Sequence, residues 1–267
     1  MIPAATRYER ATDLDHALEL LGEPDAKAIA GGQSLIPVMK LRIARPSVVV
    51  DISRLELRGV EERDGELHIG PLTTWDELIR ADAFERPALA AIADCARGIG
   101  DLQVRNLGTI GGSVAHADPA SDMPAVLLAL GARLAIQSPA GTREASLTEV
   151  LVGPFTTTLA VQELVTDIIV PIAARSSGSA YASVEHPASG FALAGAGALV
   201  TPEGETVAVT GIGATPFILP PGDLREQIAA AETYGDRFAP AEYRRELAAV
   251  VAERALTAAR ERAEGDS

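Results

Sequence analysis

Apolar residues follow helical spacing in some segments and strand-like spacing in others, so the sequence predicts a mixed α and β fold. In residues 12–23 the apolar positions fall on one helical face, with Thr12 as the predicted N-cap. Short apolar runs at residues 26–30 and 47–53 predict two buried strands. The TWDE segment at residues 74–77 has the capping-box pattern that begins a helix.

The mixed pattern continues to the C-terminus. Strand-like runs occupy residues 66–74, 132–139, 163–172, 192–201 and 205–214. Helical runs occupy residues 87–96, 123–130 and 240–264, the second of them stopped by Gly131 in the C′ position. The last helix carries a predicted packing stripe of Leu247, Val250, Val251 and Leu256. Residues 173–180 are small and polar and form the best candidate linker.

Length and charge limit the possible classes of protein. A chain of 267 residues that is 47% hydrophobic can bury a sizeable core, as one large domain or two to three small ones. Its formal net charge of -14 disfavours nucleic-acid binding, and the one basic run, residues 40–45, is interleaved with apolar residues. The longest uncharged apolar stretch, residues 191–200, is too short to span a bilayer, so we expect a cytoplasmic protein.

Metal and cluster chemistry has little support in this chain. The single cysteine, Cys95, cannot hold an iron–sulfur cluster or form an internal disulfide, and its helical context favours a packed core thiol over a redox residue. The four histidines are widely scattered, so no metal site is predicted.

Two glycine pairs occur in similar settings, in AGGQS at residues 30–34 and in TIGGS at residues 109–113. Glycine lets backbone N–H groups approach a phosphate closely, and consecutive N–H groups in a turn form an anion-binding concavity. Ser34 and Ser113 each add a hydroxyl donor. Two facing concavities would suit a pyrophosphate. The alternative is that each pair is only a tight turn.

The common nucleotide motifs do not fit this sequence. It has no G-x-x-x-x-G-K-[ST] segment and no early βαβ unit with G-x-G-x-x-G. Gly195 and Gly197 lie in GAGALV, where Val200 replaces the third glycine. These small residues instead predict close packing of the strand against a neighbour or a ligand.

Two longer segments resemble a known family. AGGQSLIPVMKLRIARPSVVVDI and VRNLGTIGGSVAHADPASDMPAVLLALGA resemble the FAD-binding (medium) subunit of the molybdenum hydroxylases, which include aerobic carbon monoxide dehydrogenase and xanthine dehydrogenase. YASVEHPASGFALAGAGA extends the resemblance. It implies an α+β fold: a two-subdomain, PCMH-type FAD-binding unit at residues 1–57 and 58–171, then a C-terminal α+β subdomain at 172–267 with a three-stranded antiparallel sheet and helices.

The resemblance also implies a set of cofactor-binding residues and no catalytic ones. The two pyrophosphate segments would be Ala30, Gly31, Gly32, Gln33 and Ser34, and Thr109, Ile110, Gly111, Gly112 and Ser113. Asp122 matches an aspartate on the adenosine side of FAD, and Leu164 or Val165 matches an apolar residue that packs against the cofactor.

Several neighbouring residues have two interpretations. Ser183 and Gly190 replace a basic residue and an aspartate that the family often has. Phe191 is either an aromatic wall of the site or a core residue. His116 and Asp118 invite an acid–base role, but a role in shaping the loop is the simpler interpretation.

The function implied by the resemblance is that of an FAD-carrying electron-transfer subunit. It would receive electrons from a small subunit with two [2Fe–2S] clusters, and a large subunit would hold the molybdenum cofactor, in a heterotrimer or a dimer of heterotrimers. The FAD is expected to be non-covalent, because Ala30 begins the first segment and Cys95 is far from both. The alternatives are a self-contained FAD-linked oxidoreductase of the same superfamily and a non-catalytic assembly module.

Overall fold

Residues 2–265 are described by the computed structural model, and their strands form three main sheets and one short hairpin. The first sheet is parallel and has the order β1-β3-β2. Its elements are β1 (Arg7–Arg10), α1 (Leu14–Leu21), β2 (Lys27–Ile29), α2 (Leu35–Lys40) and β3 (Val48–Asp51). Helix α2 makes the crossover between the paired parallel strands β2 and β3, and α1 joins the two edge strands β1 and β2.

The N-cap of α1 is Asp13 rather than the predicted Thr12. The Asp13 carboxylate accepts a hydrogen bond from the His16 N–H at 2.8 Å. The Thr12 hydroxyl donates instead to the Asp13 carboxylate at 2.9 Å. A carboxylate is as good an N-cap as a hydroxyl, so the local pattern allowed both positions.

The second sheet is antiparallel and has the order β4-β5-β10-β6-β7. Its strands are β4 (Val60–Arg63), β5 (Glu66–Ile69), β6 (Arg133–Ser138), β7 (Gly141–Ser146) and β10 (Leu164–Pro171). Its helices are α3 (Trp75–Arg80), α4 (Ala90–Gly98), α5 (Leu102–Arg105), α6 (Ile110–His116), α7 (Met123–Ala129) and α8 (Leu147–Val150), with 3₁₀ turns at Asp82–Glu85 and Pro87–Leu89. The hairpin consists of β8 (Leu151–Gly153) and β9 (Thr156–Thr157).

Local signals predicted several features of this region correctly. Thr74 accepts from the Glu77 N–H while the Glu77 side chain accepts from Thr74, so the capping box of α3 is confirmed. Gly131 has a φ of +68° just beyond α7, as expected for a C′ glycine. Cys95 is buried in the core, as predicted.

The third sheet is antiparallel and has four strands rather than the expected three. Its elements are β11 (Gly178–Glu185), β12 (Ala192–Thr201), β13 (Gly204–Thr210), β14 (Phe217–Ile218), α9 (Leu224–Ala230) and α10 (Ala241–Gly265). The additional strand is two residues long and pairs with Ala208 and Val209 at the edge of the sheet. So short a strand leaves no periodic pattern in the sequence.

Small residues bring helices close to this third sheet. A Cβ atom at Gly197 would lie 2.9 Å from the Cα of Val126 in α7, and one at Gly178 would lie 2.2 Å from the carbonyl oxygen of Ala259 in α10. The predicted stripe of α10 is only partly right: Val251 and Leu256 are buried, Leu247 and Val250 are half-buried, and alanines fill the rest of the contact.

The sheets correspond in order to the three expected units, whose boundaries at residues 57 and 171 stay a prediction. No helix between residues 2 and 265 has the length and apolarity needed to span a bilayer.

Candidate functional site

A cleft of about 770 Å³ opens between the first and second sheets. This volume is within the range of small-molecule and cofactor sites, roughly 300–1,000 Å³. The first sheet contributes the segment after β2, and the second contributes α6, the segment before α7 and the start of β10. The turn at residues 189–191, between β11 and β12, completes the wall from the third sheet.

The first glycine segment follows β2 directly and lines this cleft. Across residues 2–265, the backbone N–H groups of Gly31, Gly32, Gln33 and Ser34 form no hydrogen bond with the protein. Gly32 has a φ of +71°, a conformation that residues with a Cβ rarely adopt. Consecutive free N–H groups around such a turn form the concavity that binds phosphate oxygens.

A second loop approaches so closely that position 31 has no room for a side chain. A Cβ atom at this position would lie 1.7 Å from the carbonyl oxygen of Leu107, which precedes the second glycine segment. The two glycine segments, about eighty residues apart in sequence, are therefore neighbours in the fold.

The second glycine segment is the first turn of helix α6 rather than a loop. Thr109 is its N-cap and accepts from the Gly112 N–H at 3.2 Å. The Ile110 N–H donates to the Thr73 carbonyl at 3.1 Å, and the Gly111 N–H donates to the Pro71 carbonyl at 2.9 Å. The expected second concavity of free N–H groups is therefore wrong in this form, because these donors anchor α6 to the segment between β5 and α3.

The second segment still contributes to the cleft wall. Thr109, Gly111, Gly112 and Ser113 line the cleft, whereas the Ile110 side chain is fully buried in the core and lies away from it. A Cβ atom at Gly111 would lie 2.3 Å from the Cβ of Pro71. Gly111 thus serves close packing, and Thr109 and Ser113 are the hydroxyl-bearing residues that this segment contributes to the cleft wall.

A second polar wall is built by the segment between α6 and α7. The Ser113 and Ser121 hydroxyl oxygens are 2.6 Å apart. The Ala120 N–H donates to the Asp118 carboxylate at 2.9 Å, so Asp118 stabilises this turn. The His116 ring lies 5.2 Å from the ring of Phe155, centroid to centroid. Both His116 and Asp118 therefore have local partners that shape the loop.

Asp122 lies at the end of this wall, next to α7. Its carboxylate accepts a hydrogen bond from the hydroxyl of Tyr181, which lies on β11 of the third sheet. Burial raises the pKa of Asp122 to about 7 even though the Tyr181 hydrogen bond opposes the rise, and the charge of Glu185 adds to it. A carboxyl group with this pKa both donates and accepts hydrogen bonds near neutral pH.

Apolar residues cover the rest of the cleft. Leu164 and Val165 begin β10, and both are nearly buried at the cleft wall. Phe191 is 48% exposed and lines the cleft, so it is a wall residue rather than a core residue. Phe155, at the tip of the β8–β9 hairpin, is 60% exposed and faces the same space.

Tyr181 and Phe155 are site residues that the sequence alone did not indicate. Tyr181 begins the YASVEH segment, but no periodicity indicates that its hydroxyl reaches a carboxylate 59 residues earlier. Phe155 follows Pro154 in the β8–β9 hairpin and has a positive φ of 53°. Only the folded structure shows this conformation. Ser183 lies beside Tyr181, whose hydroxyl it contacts, and within residues 2–265 it is not part of the cleft wall.

Residues 4–173 match the family described as the FAD binding domain in molybdopterin dehydrogenase. The chain is 35% identical to the carbon monoxide dehydrogenase medium chain of Hydrogenophaga pseudoflava, over 89% of this chain and 83% of that one. It is 40% identical to subunit alpha of the 6-hydroxypseudooxynicotine dehydrogenase complex of Paenarthrobacter nicotinovorans, over 75% of this chain and 69% of that one.

The fold is also similar to a solved structure. A chain of the carbon monoxide dehydrogenase from Hydrogenophaga pseudoflava that lacks the Mo-pyranopterin moiety of its molybdenum cofactor superposes with a TM-score of 0.91. The two chains are 32% identical, and the match covers 98% of this chain and 99% of the other. The likeness therefore includes the third sheet and α10.

Proposed function

We propose that this chain, which belongs to the family of FAD-binding domains of molybdopterin dehydrogenases, is the electron-transfer subunit of a multi-subunit complex. The chain is an FAD subunit of the molybdenum hydroxylase type. In the proposed complex it receives electrons from iron–sulfur clusters on a partner and passes them to an external acceptor. We further propose that this complex works in the cytoplasm.

The observation that carries the proposal is the row of unpaired backbone N–H groups at Gly31–Ser34, facing a cleft large enough for a dinucleotide. These donors are half-buried at the cleft wall and have no partner within residues 2–265, so the row is available to a ligand. A phosphate oxygen suits it, because a positive-φ glycine turn concentrates N–H dipoles on one point.

The proposed contacts follow from the position of each residue in the cleft. Residues 30–34 bind the pyrophosphate through backbone N–H groups, and Thr109 and Ser113 add hydroxyl donors from α6. Gly112 leaves space beside them. Asp122 contributes a hydrogen bond on the adenosine side of FAD, and Leu164 and Val165 pack against the cofactor. Bound FAD supplies the redox chemistry, and the chain supplies binding and orientation.

In this proposal the iron–sulfur clusters lie on partner chains, because this chain offers only one thiolate ligand. An iron–sulfur cluster needs several thiolates, whereas the one cysteine, Cys95, is buried. Between residues 2 and 265, no three His, Cys, Asp or Glu side chains are grouped to hold a metal ion. We propose a small [2Fe–2S] subunit and a large molybdenum-cofactor subunit as partners, in a heterotrimer or a dimer of heterotrimers. Relatives named a medium chain and a complex subunit support this assembly.

Co-expression with neighbouring small and large subunits tests the proposal. The expected result is one stable complex in which rapid mixing with an oxidisable substrate reduces the flavin. The chain alone should bind FAD but oxidise no carbon monoxide, aldehyde or N-heterocycle. A complex that carries Gly112→Val, and therefore no flavin, should still reduce the clusters but not the external acceptor.

Two other results would contradict the proposal. Substrate-driven flavin reduction in the chain alone would identify a self-contained oxidoreductase. A complex whose flavin is never reduced by substrate would identify an assembly module.

A further inference from the structure

Hydrogen bonds from the third sheet hold residues 118–122 of the cleft wall. Thr210, the last residue of β13, places its hydroxyl oxygen 3.0 Å from the Pro119 carbonyl and 2.8 Å from the Ser121 carbonyl. The next residue, Gly211, donates its N–H to the Pro119 carbonyl at 3.0 Å. Thr210 and the residue directly after β13 thus hold two carbonyl groups of a segment that lies about ninety residues earlier.

Thr210 is fully buried, so water cannot replace its hydroxyl. Without the hydroxyl the Ser121 carbonyl loses this buried donor, while the Pro119 carbonyl keeps the Gly211 N–H, and losing a buried partner costs more than the net value of the hydrogen bond. The bond therefore restrains the backbone of the segment strongly.

Gly211 is fixed in turn by Arg244 of α10. The Arg244 guanidinium donates to the Gly211 carbonyl at 2.7 Å and to the Leu193 carbonyl at 2.8 Å, and it forms an ion pair with Asp236 at 2.8 Å. Gly211 has a φ of +81°, which favours glycine at this turn. The support behind Thr210 is therefore itself rigid.

The restraint that Thr210 places on the backbone affects the cleft through Ser121 and Asp122. The Ser121 hydroxyl is in contact with Ser113 of α6, and Asp122 faces the ligand space. Both positions depend on the path of the backbone through Pro119 and Ser121. Residues 4–173 cover the matched FAD-binding family, whereas Thr210 lies outside that range.

We propose that Thr210 is a positioning residue for the cofactor cleft, which holds the 118–122 wall in the geometry that binds FAD. The inference rests on the proposed FAD-binding function of the cleft. Thr210 acts through the backbone of Pro119 and Ser121 and lies outside the cleft wall itself.

The test compares the full-length variants Thr210→Val and Thr210→Ser with wild type. FAD affinity is measured by titrating the FAD-depleted chain and following flavin fluorescence, and stability is measured by thermal unfolding without FAD. Thr210→Val should raise the Kd for FAD about tenfold, equivalent to about 1.4 kcal/mol. Thr210→Ser keeps the hydroxyl and should stay within about twofold of the wild-type Kd, a difference of about 0.4 kcal/mol.

Ser179→Ala is the matched control. Ser179 is also fully buried on the third sheet, and its hydroxyl accepts from the Ala91 N–H at 3.0 Å, away from the cleft. This variant should lower the midpoint of thermal unfolding but leave the Kd for FAD unchanged. If Thr210 had a purely structural role, Thr210→Val would behave like this control and lower thermal stability without raising the Kd for FAD.

Each remaining outcome decides the question. A wild-type Kd in Thr210→Val, or an equal loss of affinity in Ser179→Ala, would overturn the proposal. Should Thr210→Val not fold, Thr210→Ala removes the same hydroxyl without adding a methyl group. Failure of both to fold while Ser179→Ala folds would show a purely structural role. Absence of FAD binding in wild type would instead refute the proposed function itself.

Discussion

The hydroxyl of Tyr181 donates a hydrogen bond to the carboxylate of Asp122, and this bond joins the third sheet to the cleft wall. Gly195 on the neighbouring strand makes space for it, because a Cβ atom there would lie 2.2 Å from the Tyr181 hydroxyl oxygen. The carboxyl group is nevertheless so poorly solvated that its pKa rises to about 7. Three residues far apart in sequence thus define one proton-binding site.

The raised pKa of Asp122 predicts that the FAD-free protein loses stability as the pH rises. The folded state keeps this proton up to a pH of about 7, whereas the unfolded chain releases it near the ordinary aspartate pKa of 3.8. The loss of folding stability caused by Asp122 is therefore absent below about pH 4. It grows as the pH rises from about 4 to about 7 and is complete above the pKa of the folded state. The full shift corresponds to at most about 4 kcal/mol.

Asp122→Asn tests this linkage, since it removes the titrating proton while keeping the shape of the side chain. Its free energy of unfolding relative to wild type should increase from pH 4 to pH 8, measured by denaturant titration at each pH. Tyr181→Phe should move the wild-type transition to higher pH, because the lost hydrogen bond favoured the charged carboxylate. A pH-independent difference between Asp122→Asn and wild type would contradict the assigned pKa.

Gly112→Val should abolish FAD binding in a chain that still folds. A Cβ atom at Gly112 meets only the Thr109 hydroxyl, at 2.8 Å, and otherwise points into open space at the cleft. The valine side chain would occupy ligand space, so we expect the Kd for FAD to rise at least ~100-fold, or about 2.8 kcal/mol. Flavin absorbance per chain after purification measures the effect.

Gly153→Val is the control for that substitution. A Cβ atom at Gly153, on β8, has no neighbour closer than 3.7 Å, and the residue does not line the cleft. Its flavin content should equal that of wild type. Normal flavin content in Gly112→Val would remove α6 from the proposed cofactor site.

Gly32→Val should also abolish FAD binding, for a different reason. The φ of +71° at this residue is strained for any side chain and most of all for a β-branched one. The substitution would therefore turn the N–H groups of residues 31–34 away from one another. Loss of flavin, together with loss of the thermal stabilisation that added FAD gives the wild type, is the expected result. Retained flavin would refute the pyrophosphate assignment.

FAD is predicted to be held without a covalent bond. Ala30 offers no nucleophile at the start of the first segment, and Cys95 is buried in the core with its pKa raised by desolvation. A buried thiol of raised pKa is a poor nucleophile. Acid precipitation of the loaded protein should leave the yellow colour in the supernatant. Flavin that stays in the pellet would contradict this prediction.

Thr74→Ala should lower the free energy of unfolding by about 1 kcal/mol, the usual cost of losing an N-cap. Thr74 closes the capping box with Glu77, and burial of the cap leaves no room for water to compensate. The Thr74 hydrogen bonds lower the pKa of Glu77 against the opposing effect of its burial. The loss should therefore be largest above the ordinary glutamate pKa and shrink as the pH falls.

Denaturant unfolding of Thr74→Ala at neutral and acid pH provides the measurement. Thr74→Ser keeps the capping oxygen and should behave as wild type. An equal loss in both variants would assign the effect to packing of the threonine methyl group.

Local sequence determined most of the secondary structure of this protein. The capping box at Thr74, the stop at Gly131 and the buried run of β3 depend on residues within a few positions of one another. For the same reason the neighbouring residues Thr12 and Asp13 could not be distinguished as N-caps, and the two-residue strand β14 left no pattern. The prediction that β2 is buried was wrong, because β2 lies at the edge of its sheet and its residues are exposed or half-buried.

The two glycine segments show where local information ends. The sequence marked both as sites of close backbone approach, and both line the cleft. It could not decide which backbone N–H groups remain free, because that depends on distant carbonyl groups. The carbonyl groups of Thr73 and Pro71 accept hydrogen bonds from the N–H groups of Ile110 and Gly111. The N–H groups of residues 31–34 have no such partner within residues 2–265.

The sequence by itself therefore determined most of the elements and the resemblance to an FAD subunit. Only the tertiary structure decided that Thr210 and Tyr181 support the cleft from the third sheet, and that Asp122 holds its proton near neutral pH. The physical reason is that hydrogen bonding and desolvation act over a few ångströms in space, whatever the separation along the chain.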